Sequence, residues 1–290
     1  MKYAWIEENK DSFEVKTMCD LLGFSRSGYY KRIQRKPSVR HRRTMKIREE
    51  AKRSFEENHG AGGYRSVHKD LEADGVDCCP ETVRIALKTQ GLKATQSKRF
   101  IPTTTDSDHD LPIAENVLKR DFAASRSDEK WVSDITYIRT DVGWMYLAVI
   151  LDLHSRKIVG WAMASHRRKE LVLDALEMAI AHRRPTGSLI FHSDRGSQYA
   201  SDKFRKRLKF LNITQSMSRK GNCWDNAPAE SFFGKLKTEW TRRRRYRNQD
   251  EAKQSVYYYI EMYYNSKRRH AAIGYLCPND FEVQAARNAA

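Results

Sequence analysis

The chain has 290 residues, enough for about two domains at roughly 100–200 residues each. Its 54 lysines and arginines exceed its 37 aspartates and glutamates, for a formal net charge of +17. That balance favours a polyanionic partner, most simply nucleic acid, over a solvated basic surface that only aids solubility. Residues 1–8 lack the apolar stretch of a signal peptide, and the longest apolar run, Trp144–Leu151, is too short to span a bilayer. Five scattered cysteines indicate reduced thiols, so we expect a cytoplasmic protein without a membrane partner.

The N-terminal region, residues 1–40, is predicted to be helical. Apolar residues recur there at helical spacing, namely Val15, Met18, Cys19 and Leu22. Gly23 ends that helix, and Ser25 is a good N-cap for a second helix that continues to Arg35. A helix, a glycine-containing turn and a basic second helix are typical of a helix-turn-helix, so Arg26 and Lys31 are predicted DNA contacts.

A second helical unit is predicted over residues 41–92. It combines a charged helix over 41–57, a glycine-rich turn over 60–63, a helix over Tyr64–Ala73 and a helix that begins at Pro80 and closes at Gly91. We interpret it as a helix-turn-helix-like DNA-binding domain with Arg84 as a DNA contact, although the same pattern suits any small helical bundle. The polar stretch that follows predicts a linker over residues 93–118.

Residues 119–290 show a different pattern. Three closely spaced strands, predicted over 130–138, 144–151 and 157–163, indicate an antiparallel meander. A helix over 169–182, a strand over 189–192, a helix over 201–211, a strand over 213–216 and a helix that carries Glu230 follow in that order. This order predicts an α/β fold with a ribonuclease-H-like mixed sheet and a C-terminal helical tail.

Three carboxylates have settings that point to chemistry. Asp134 interrupts an apolar strand, Asp194 follows another strand, and Glu230 begins a helix with 35 residues between it and Asp194. An unpaired strand aspartate is costly, and paired hard cations that work on phosphodiesters prefer carboxylate oxygens. Each acid considered alone is more often a capping or network residue. Their combination on a basic chain predicts a divalent-metal site.

The Glu230 helix and the residues after it carry basic groups. Glu230, Gly234 and Lys237 share one helical face, where Gly234 would leave room for a DNA backbone and Lys237 would pair with phosphate. The alternative is a surface Glu–Lys pair with an incidental glycine. The basic run of Arg242, Arg243, Arg244 and Arg245 is predicted to follow DNA phosphates, although a like-charge run can also be a solvated face.

Two further polar residues have competing interpretations. Asp152, at the end of the second strand, is the rival fourth carboxylate, but a turn-stabilising role is favoured because aspartate commonly binds backbone amides at strand ends. His192 precedes Asp194 by two positions, and it either lies near DNA or is a hydrogen-bonded histidine at a strand end.

At these residues the chain resembles the OrfB-type transposases of the insertion sequence three family, in the superfamily of DDE transposases and retroviral integrases. The matching segments are Trp131–Tyr137, His192–Tyr199, Asn226–Glu239 and Tyr264–Pro278, with Ser27–Tyr30 near the N-terminus. The resemblance implies an integrase-type catalytic core that uses two Mg²⁺ or Mn²⁺ ions per active site. It also implies that Asp134, Asp194 and Glu230 are the catalytic, metal-binding triad and that Lys237 is the basic residue seven positions after the glutamate.

The resemblance further implies a reaction and its partners. Water cleaves one strand at an element end, and the freed 3′-hydroxyl then attacks another phosphodiester, without a covalent protein–DNA intermediate. The expected partners are DNA, as element ends and target, further copies of the chain in a synaptic complex, and an upstream-frame product or fusion. The first 60 residues contain no leucine heptads that would replace that upstream part. The expected location is the bacterial cytoplasm, in association with the nucleoid.

Two other functions remain open from the sequence. One is a non-catalytic DNA-binding regulator of the element, which would use the N-terminal helices. The other is a nuclease of the ribonuclease H class, which would cleave RNA–DNA hybrids without joining ends.

Overall fold

The structure is a computed structural model that describes residues 2–95, 109–220 and 222–289. The chain divides into two compact units between Glu50 and Ala51. The first unit contains α1 (Lys2–Asn9), α2 (Val15–Leu22) and α3 (Arg26–Ile33). They surround a small core made of Ile6, Met18, Cys19 and Tyr29.

The turn between α2 and α3 follows the prediction. Gly23 caps α2 with a left-handed φ of 76°, a conformation that a residue without Cβ adopts readily. The Ser25 hydroxyl accepts the backbone N–H of Gly28 at 3.1 Å, which satisfies a donor in the first turn of α3. The predicted N-cap is confirmed, while α3 ends at Ile33, two residues before the predicted Arg35.

Three further helices precede the sheet. They are α4 (Val39–Glu57), α5 (Tyr64–Ala73) and α6 (Pro80–Thr89). Val67 and Leu71 of α5 and Val83 of α6 are fully buried, so both helices turn an apolar face inward. Residues 96–108 of the predicted linker lie outside the described residues. Near the end of that linker, the N–H groups of Val117 and Leu118 both donate to the Ser216 hydroxyl, and Leu118 is buried in the core of the second unit.

A mixed sheet forms the centre of the second unit. Its strands are β1 (Lys130–Thr140), β2 (Gly143–Asp152), β3 (Ile158–Ala164), β4 (Leu189–Ser193) and β5 (Ile213–Met217). They lie in the order β3-β2-β1-β4-β5, with antiparallel pairing among the first three strands and parallel pairing of β1 with β4 and of β4 with β5. The predicted meander and mixed α/β sheet are confirmed.

Helices cover both faces of this sheet. Residues of α7 (Lys169–Arg183), α8 (Ser197–Ala200) and α9 (Asp202–Phe210) share one apolar cluster with Ala148 and Ile150 of β2. Residues of α10 (Ala227–Lys235) and α11 (Gln249–Tyr257) share the other with Leu147 and Val149. Successive β2 side chains therefore enter different cores, which explains the unbroken apolar run of this strand.

The C-terminal part of the second unit ends in α12 (Pro278–Ala289). Before it, Tyr259, Tyr263 and Tyr264 are buried in the α10 cluster, so these tyrosines pack the core. Within the described ranges, no helix combines the length and apolar character that crossing a bilayer requires.

One glycine allows α7 to approach the sheet closely. A Cβ on Gly160 of β3 would overlap the backbone carbonyl oxygen of Ala175 and would lie 2.7 Å from the Ala179 Cβ. Real Cβ contacts are longer than this, so a side chain at residue 160 would force the helix and the strand apart. Gly160 therefore sets the packing distance between β3 and α7.

We predict that Gly160→Ala lowers the free energy of unfolding by about 1–3 kcal/mol, the usual cost of overpacking a core. The matched control is Gly234→Ala, because residue 234 lies in α10 with no neighbour within 4 Å of an added Cβ. That control should be neutral or stabilising by up to about 1 kcal/mol, through helix propensity. Urea denaturation measures both variants, and equal stabilities would contradict the proposed close approach.

A buried ion pair joins the region after α10 to the C-terminal segment. α10 continues into a wider π-helical stretch, Leu236–Trp240, in which Glu239 is only 5% exposed. Arg268 donates to both carboxylate oxygens of Glu239, at 2.6 and 2.8 Å, and the Tyr259 hydroxyl donates at 2.9 Å. This bidentate geometry satisfies charges that would otherwise be costly to bury.

We predict that Arg268→Met destabilises the protein by about 3–5 kcal/mol, because it leaves the Glu239 carboxylate buried without its counter-charge. The double variant Glu239→Leu with Arg268→Met should recover a large part of that loss, since neither charge remains buried. Thermal and urea unfolding of both variants test the pair. If the double variant were as unstable as the single one, the unpaired charge would not be the cause.

Candidate active site

The register of the sheet brings two of the predicted carboxylates together. β1 pairs with β4 in parallel through Trp131 with Phe191 and Val132 with His192, a constant offset of 60 positions. The same offset extended by two residues places Asp134 opposite Asp194, which directly follows β4. Asp134, inside β1, and Asp194, just past the end of β4, therefore lie at the same level of the sheet.

Glu230 reaches the same region from the helix that covers this face. Asp134 and Val132 lie on the same face of β1, and Val132 belongs to the apolar cluster that contains Phe232 and Phe233 of α10. Glu230 lies in the first turn of that helix and is exposed, whereas Asp134 and Asp194 are partly buried. The group of three acids is thus open to solvent on the side of Glu230.

Charge repulsion acts among the three acids. Burial raises the pKa of Asp134 well above its usual range, and the negative charges of Asp194 and, more weakly, Glu230 raise it further. The Ile135 N–H, which donates to the Asp134 carboxylate at 2.7 Å, and the Lys237 ammonium act in the opposite direction. A cation bound between these carboxylates would relieve the repulsion.

The three acids offer carboxylate oxygens as metal ligands, but their side chains do not converge. Among the described residues, no group of three or more His, Cys, Asp or Glu side chains is arranged to hold a metal as it stands. One oxygen of Asp194 accepts the Gly196 N–H at 2.9 Å, in a tight turn after β4. The three carboxylates have the hard oxygen donors that Mg²⁺ and Mn²⁺ prefer, so their chemistry fits such ions once the side chains converge.

Lys237 lies beside the acids, in the π-helical stretch rather than in α10 itself. The predicted helix does not keep regular α-helical geometry from Glu230 to Lys237, because α10 ends at Lys235 and the π-helical stretch follows it. The Lys237 ammonium nevertheless lies 4.6 Å from the centre of the Tyr137 ring, and its charge acts on Asp134. Burial, reinforced by Arg242, lowers the pKa of Lys237.

The start of α10 is held in place by Asn226, which the sequence indicated only as a helix-start and motif residue, and by Asp225, to which it assigned no role. The Asn226 side-chain amide donates to the Ser133 carbonyl at 3.0 Å, directly before Asp134. The fully buried Asp225 accepts from Arg219 at 2.9 Å and from Arg120 at 2.7 Å, and the hydrogen bonds from Arg219 hold the pKa of Asp225 well below its usual range. In the sequence, the Asp225-Asn226 pair just ahead of Pro228 was the signal that could have identified these two residues.

Asp152 and His192 have structural roles. The Asp152 carboxylate is fully buried and accepts the backbone N–H groups of Asp128, His154 and Ser155 at 2.7–3.0 Å, which confirms the turn-stabilising role. The His192 ring is fully buried between the Ser216 and Ser218 hydroxyls, and burial lowers its pKa to about 4. His192 is therefore a hydrogen-bonded core residue.

The other predicted DNA contacts lie at exposed positions. They are Arg26, Lys31, Arg84, Arg242, Arg243, Arg244 and Arg245. Several already bind neighbours: Arg84 pairs with Glu81, Arg243 donates to the His59 carbonyl at 2.7 Å, and Arg245 pairs with Asp141 at 3.0 Å. The Arg244 guanidinium lies 3.5 Å from the centre of the Trp240 ring.

Family models match three parts of the chain. An integrase core domain model matches residues 124–223, a second integrase core domain model matches residues 211–278, and an HTH-like domain model matches residues 42–100. The first two together include all three candidate acids. The third covers α5 and α6.

Among solved structures, the catalytic core domain of HTLV-2 integrase in complex with magnesium, in its trimeric form, is 13% identical. The match covers 55% of this chain and 99% of that chain, with a TM-score of 0.43. The catalytic core domain of BIV integrase is 16% identical over 56% of this chain and 98% of its own, with a TM-score of 0.39.

Curated relatives match almost the whole chain. The transposase InsF for insertion sequence IS3A from Escherichia coli (strain K12) is 39% identical, over 97% of this chain and 98% of the relative. An uncharacterized 31 kDa protein of insertion element IS600 from Shigella sonnei is 40% identical, over 91% of this chain and 97% of its own. With the integrase core and the HTH-like domain in the same order, the chain belongs to the family of insertion sequence three transposases.

Proposed function

We propose that the protein is a DNA transposase that cleaves one strand at the end of an insertion sequence and transfers the freed 3′-hydroxyl to a second phosphodiester. The observation that carries this proposal is the register of β1 and β4, which sets Asp134 opposite Asp194 under the helix of Glu230. The similarity to InsF over nearly the whole chain supports the same activity.

Asp134, Asp194 and Glu230 would hold two divalent cations, Mg²⁺ or Mn²⁺, in this proposal. When bound, such ions activate the attacking oxygen and stabilise the leaving oxygen of a phosphodiester. Asp134 is suited to a shared position because it lies on the central strand of the sheet and the charges of both other acids act on it. The raised pKa of Asp134 is consistent with carboxylates that are poised to accept a counter-charge.

Lys237 and Gly234 would position the DNA strand. The Lys237 ammonium lies close enough to act on Asp134 and would donate to a phosphate beside the scissile bond. Gly234 has open space where a Cβ would be, so a sugar-phosphate backbone can approach the helix there. The exposed arginines Arg242–Arg245 would extend this contact along the strand.

The substrates would be element ends and target DNA. The net charge of +17 and the HTH-like domain over residues 42–100 support DNA as the partner. We further propose that several copies of the chain act together in a synaptic complex, with an upstream-frame product or fusion that supplies end recognition. The setting would be the bacterial cytoplasm, at the nucleoid.

Glu230→Gln should abolish metal-dependent cleavage and joining, because the amide keeps the shape of the side chain but loses its charge. We expect a rate loss of more than about 100-fold, since even outer-shell partners of a metal ligand are worth about 10–100-fold. Cleavage of labelled element-end DNA with Mg²⁺ or Mn²⁺ measures the effect.

The matched control is Glu170→Gln, which removes one carboxylate charge from α7, on the opposite face of the sheet. It should leave cleavage, joining and DNA binding unchanged. Wild-type joining rates in the Glu230 variant would overturn the assignment. Wild-type protein that binds element ends, yet cleaves with neither metal even beside its upstream partner, would favour a regulator.

Asn226 is predicted to act as a positioning residue. Asn226→Ala removes the hydrogen bond to the Ser133 carbonyl, so α10 would no longer hold Glu230 at a fixed distance from Asp134. Cleavage at saturating metal should fall about 10–100-fold, and the half-saturating Mg²⁺ concentration should rise. The cleavage rate and the half-saturating Mg²⁺ concentration are both measured well below the unfolding temperature of the variant.

The control for this prediction is Asn116→Ala, which loses a hydrogen bond of 3.0 Å to Asp225 but leaves the bond from Asn226 to the Ser133 carbonyl in place. It should lower stability without changing the Mg²⁺ dependence. If the half-saturating Mg²⁺ concentration changed equally in the two variants, Asn226 would matter for stability alone.

A further inference from the structure

A second cleft lies on the other side of α10, within the second unit. It has a volume of about 660 Å³. Gly63 and Tyr64 at the start of α5 form one wall, and Ser231 and Lys235 of α10 form another. The turn between β2 and β3 contributes Arg156. The cleft is therefore built by elements far apart in sequence, and none of the three candidate acids lines it.

The charged side chains that line this cleft are all positive. Five lysine or arginine side chains line it, and no Asp or Glu among the described residues does; the five are Arg65, Arg156, Lys235, Arg268 and Arg269. Two of them have a counter-charge outside the cleft lining, because Arg268 pairs with Glu239 and Arg269 pairs with Asp70. For Arg65, Arg156 and Lys235, the described part of the chain provides no ion pair.

These unpaired cations are costly to hold there. Lys235 and Arg156 are both half-buried, and a charge withdrawn from water without a partner is destabilising. Burial and then the charge of Arg268 lower the pKa of Lys235 to about 8. Arg156 has a left-handed φ of 63°, a backbone strain that often accompanies a functional position.

Two neutral features of the cleft also point to an anion. The N-cap residue of α5 is Gly63, which has no side chain to accept the N–H groups at the start of the helix. His270 is only 5% exposed, and its Nε2 atom is buried without a hydrogen-bond partner. An oxyanion would supply both an acceptor for N–H donors and a counter-charge for the cations.

We propose that this cleft binds a backbone phosphate of DNA, at a place separate from the candidate active site of Asp134, Asp194 and Glu230. The inference rests on the proposed function only in taking DNA as the source of the phosphate. Ser231 and Lys235 line the cleft while Glu230 belongs to the candidate active site, so a strand held in the cleft would lie against the helix that carries the catalytic glutamate. Free phosphate has the same chemistry and is the competing source.

The test is DNA binding by Lys235→Met, measured by fluorescence anisotropy with a labelled element-end duplex in EDTA. The matched control is Lys253→Met, which removes the same charge from an exposed position on α11. We expect affinity to fall about 5–10-fold in the Lys235 variant and the slope of log affinity against log salt to shrink by about 1. The control should keep the wild-type slope.

Arg156→Met is the second variant, in case Lys235→Met does not fold, and it should give the same loss. Equal slopes for both cleft variants and the control would overturn the proposal. A second arm measures thermal stabilisation by inorganic phosphate against chloride at equal ionic strength. Phosphate stabilisation that the cleft variants lose, without any loss of DNA affinity, would assign the cleft to free phosphate and overturn DNA as its ligand.

These measurements are independent of catalysis because they are made without a divalent metal. A Glu230→Gln protein that fails to cleave but binds DNA with the wild-type salt slope leaves the cleft proposal intact. A cleft variant that binds more weakly but still cleaves at saturating DNA leaves the catalytic proposal intact.

Discussion

The parallel pairing of β1 with β4 is the constraint on which the rest of the second unit depends. It places Trp131 against Phe191 and Val132 against His192, so both strands are buried on both faces at this point. The same register sets Asp134 opposite Asp194 where β4 ends. Asp134 carries its charge inside β1, at a cost, but it lies where β4 has ended and is only partly buried, so it can meet a cation or DNA. The pairing of β1 with β4 therefore sets both the packing of the core and the neighbouring positions of Asp134 and Asp194.

α10 adds Glu230, the third candidate acid, on the face of the sheet that carries Asp134. Its start is held by the Asn226 amide on the Ser133 carbonyl and by Asp225 among arginines. Its far end continues into the π-helical stretch that Glu239 anchors to Arg268. With both ends fastened, the helix presents acid to one side and Lys235 to the other. The electrostatic contrast between these sides would favour a DNA strand held in the basic cleft while a metal-dependent step occurs at the three acids.

The C-terminal segment, residues 264–278, holds this arrangement together through hydrogen bonds and ion pairs. The side chain of Asn265 bonds both the N–H and the carbonyl of Ile158 at 3.0 Å, which fixes the segment to the start of β3. Arg268 and Arg269 reach Glu239 and Asp70. The C-terminal segment thus supports, from behind, the helix that carries Glu230. It also forms part of the wall of the basic cleft.

The sequence by itself determined the strands, most helix boundaries and the choice of the three acids. Those features depend on local rules: alternation along a strand, the Ser25 cap and the Gly23 stop, and the cost of a charge such as Asp134 in an apolar strand. Tertiary structure alone decided the π-helical stretch that holds Lys237, the Glu239–Arg268 pair and the basic cleft. Each of these depends on contacts between residues far apart in the chain, as in the pairing of Asp70 with Arg269 across 199 positions. No local pattern encodes such a contact, because its energy exists only once the sheet and its covering helices have assembled.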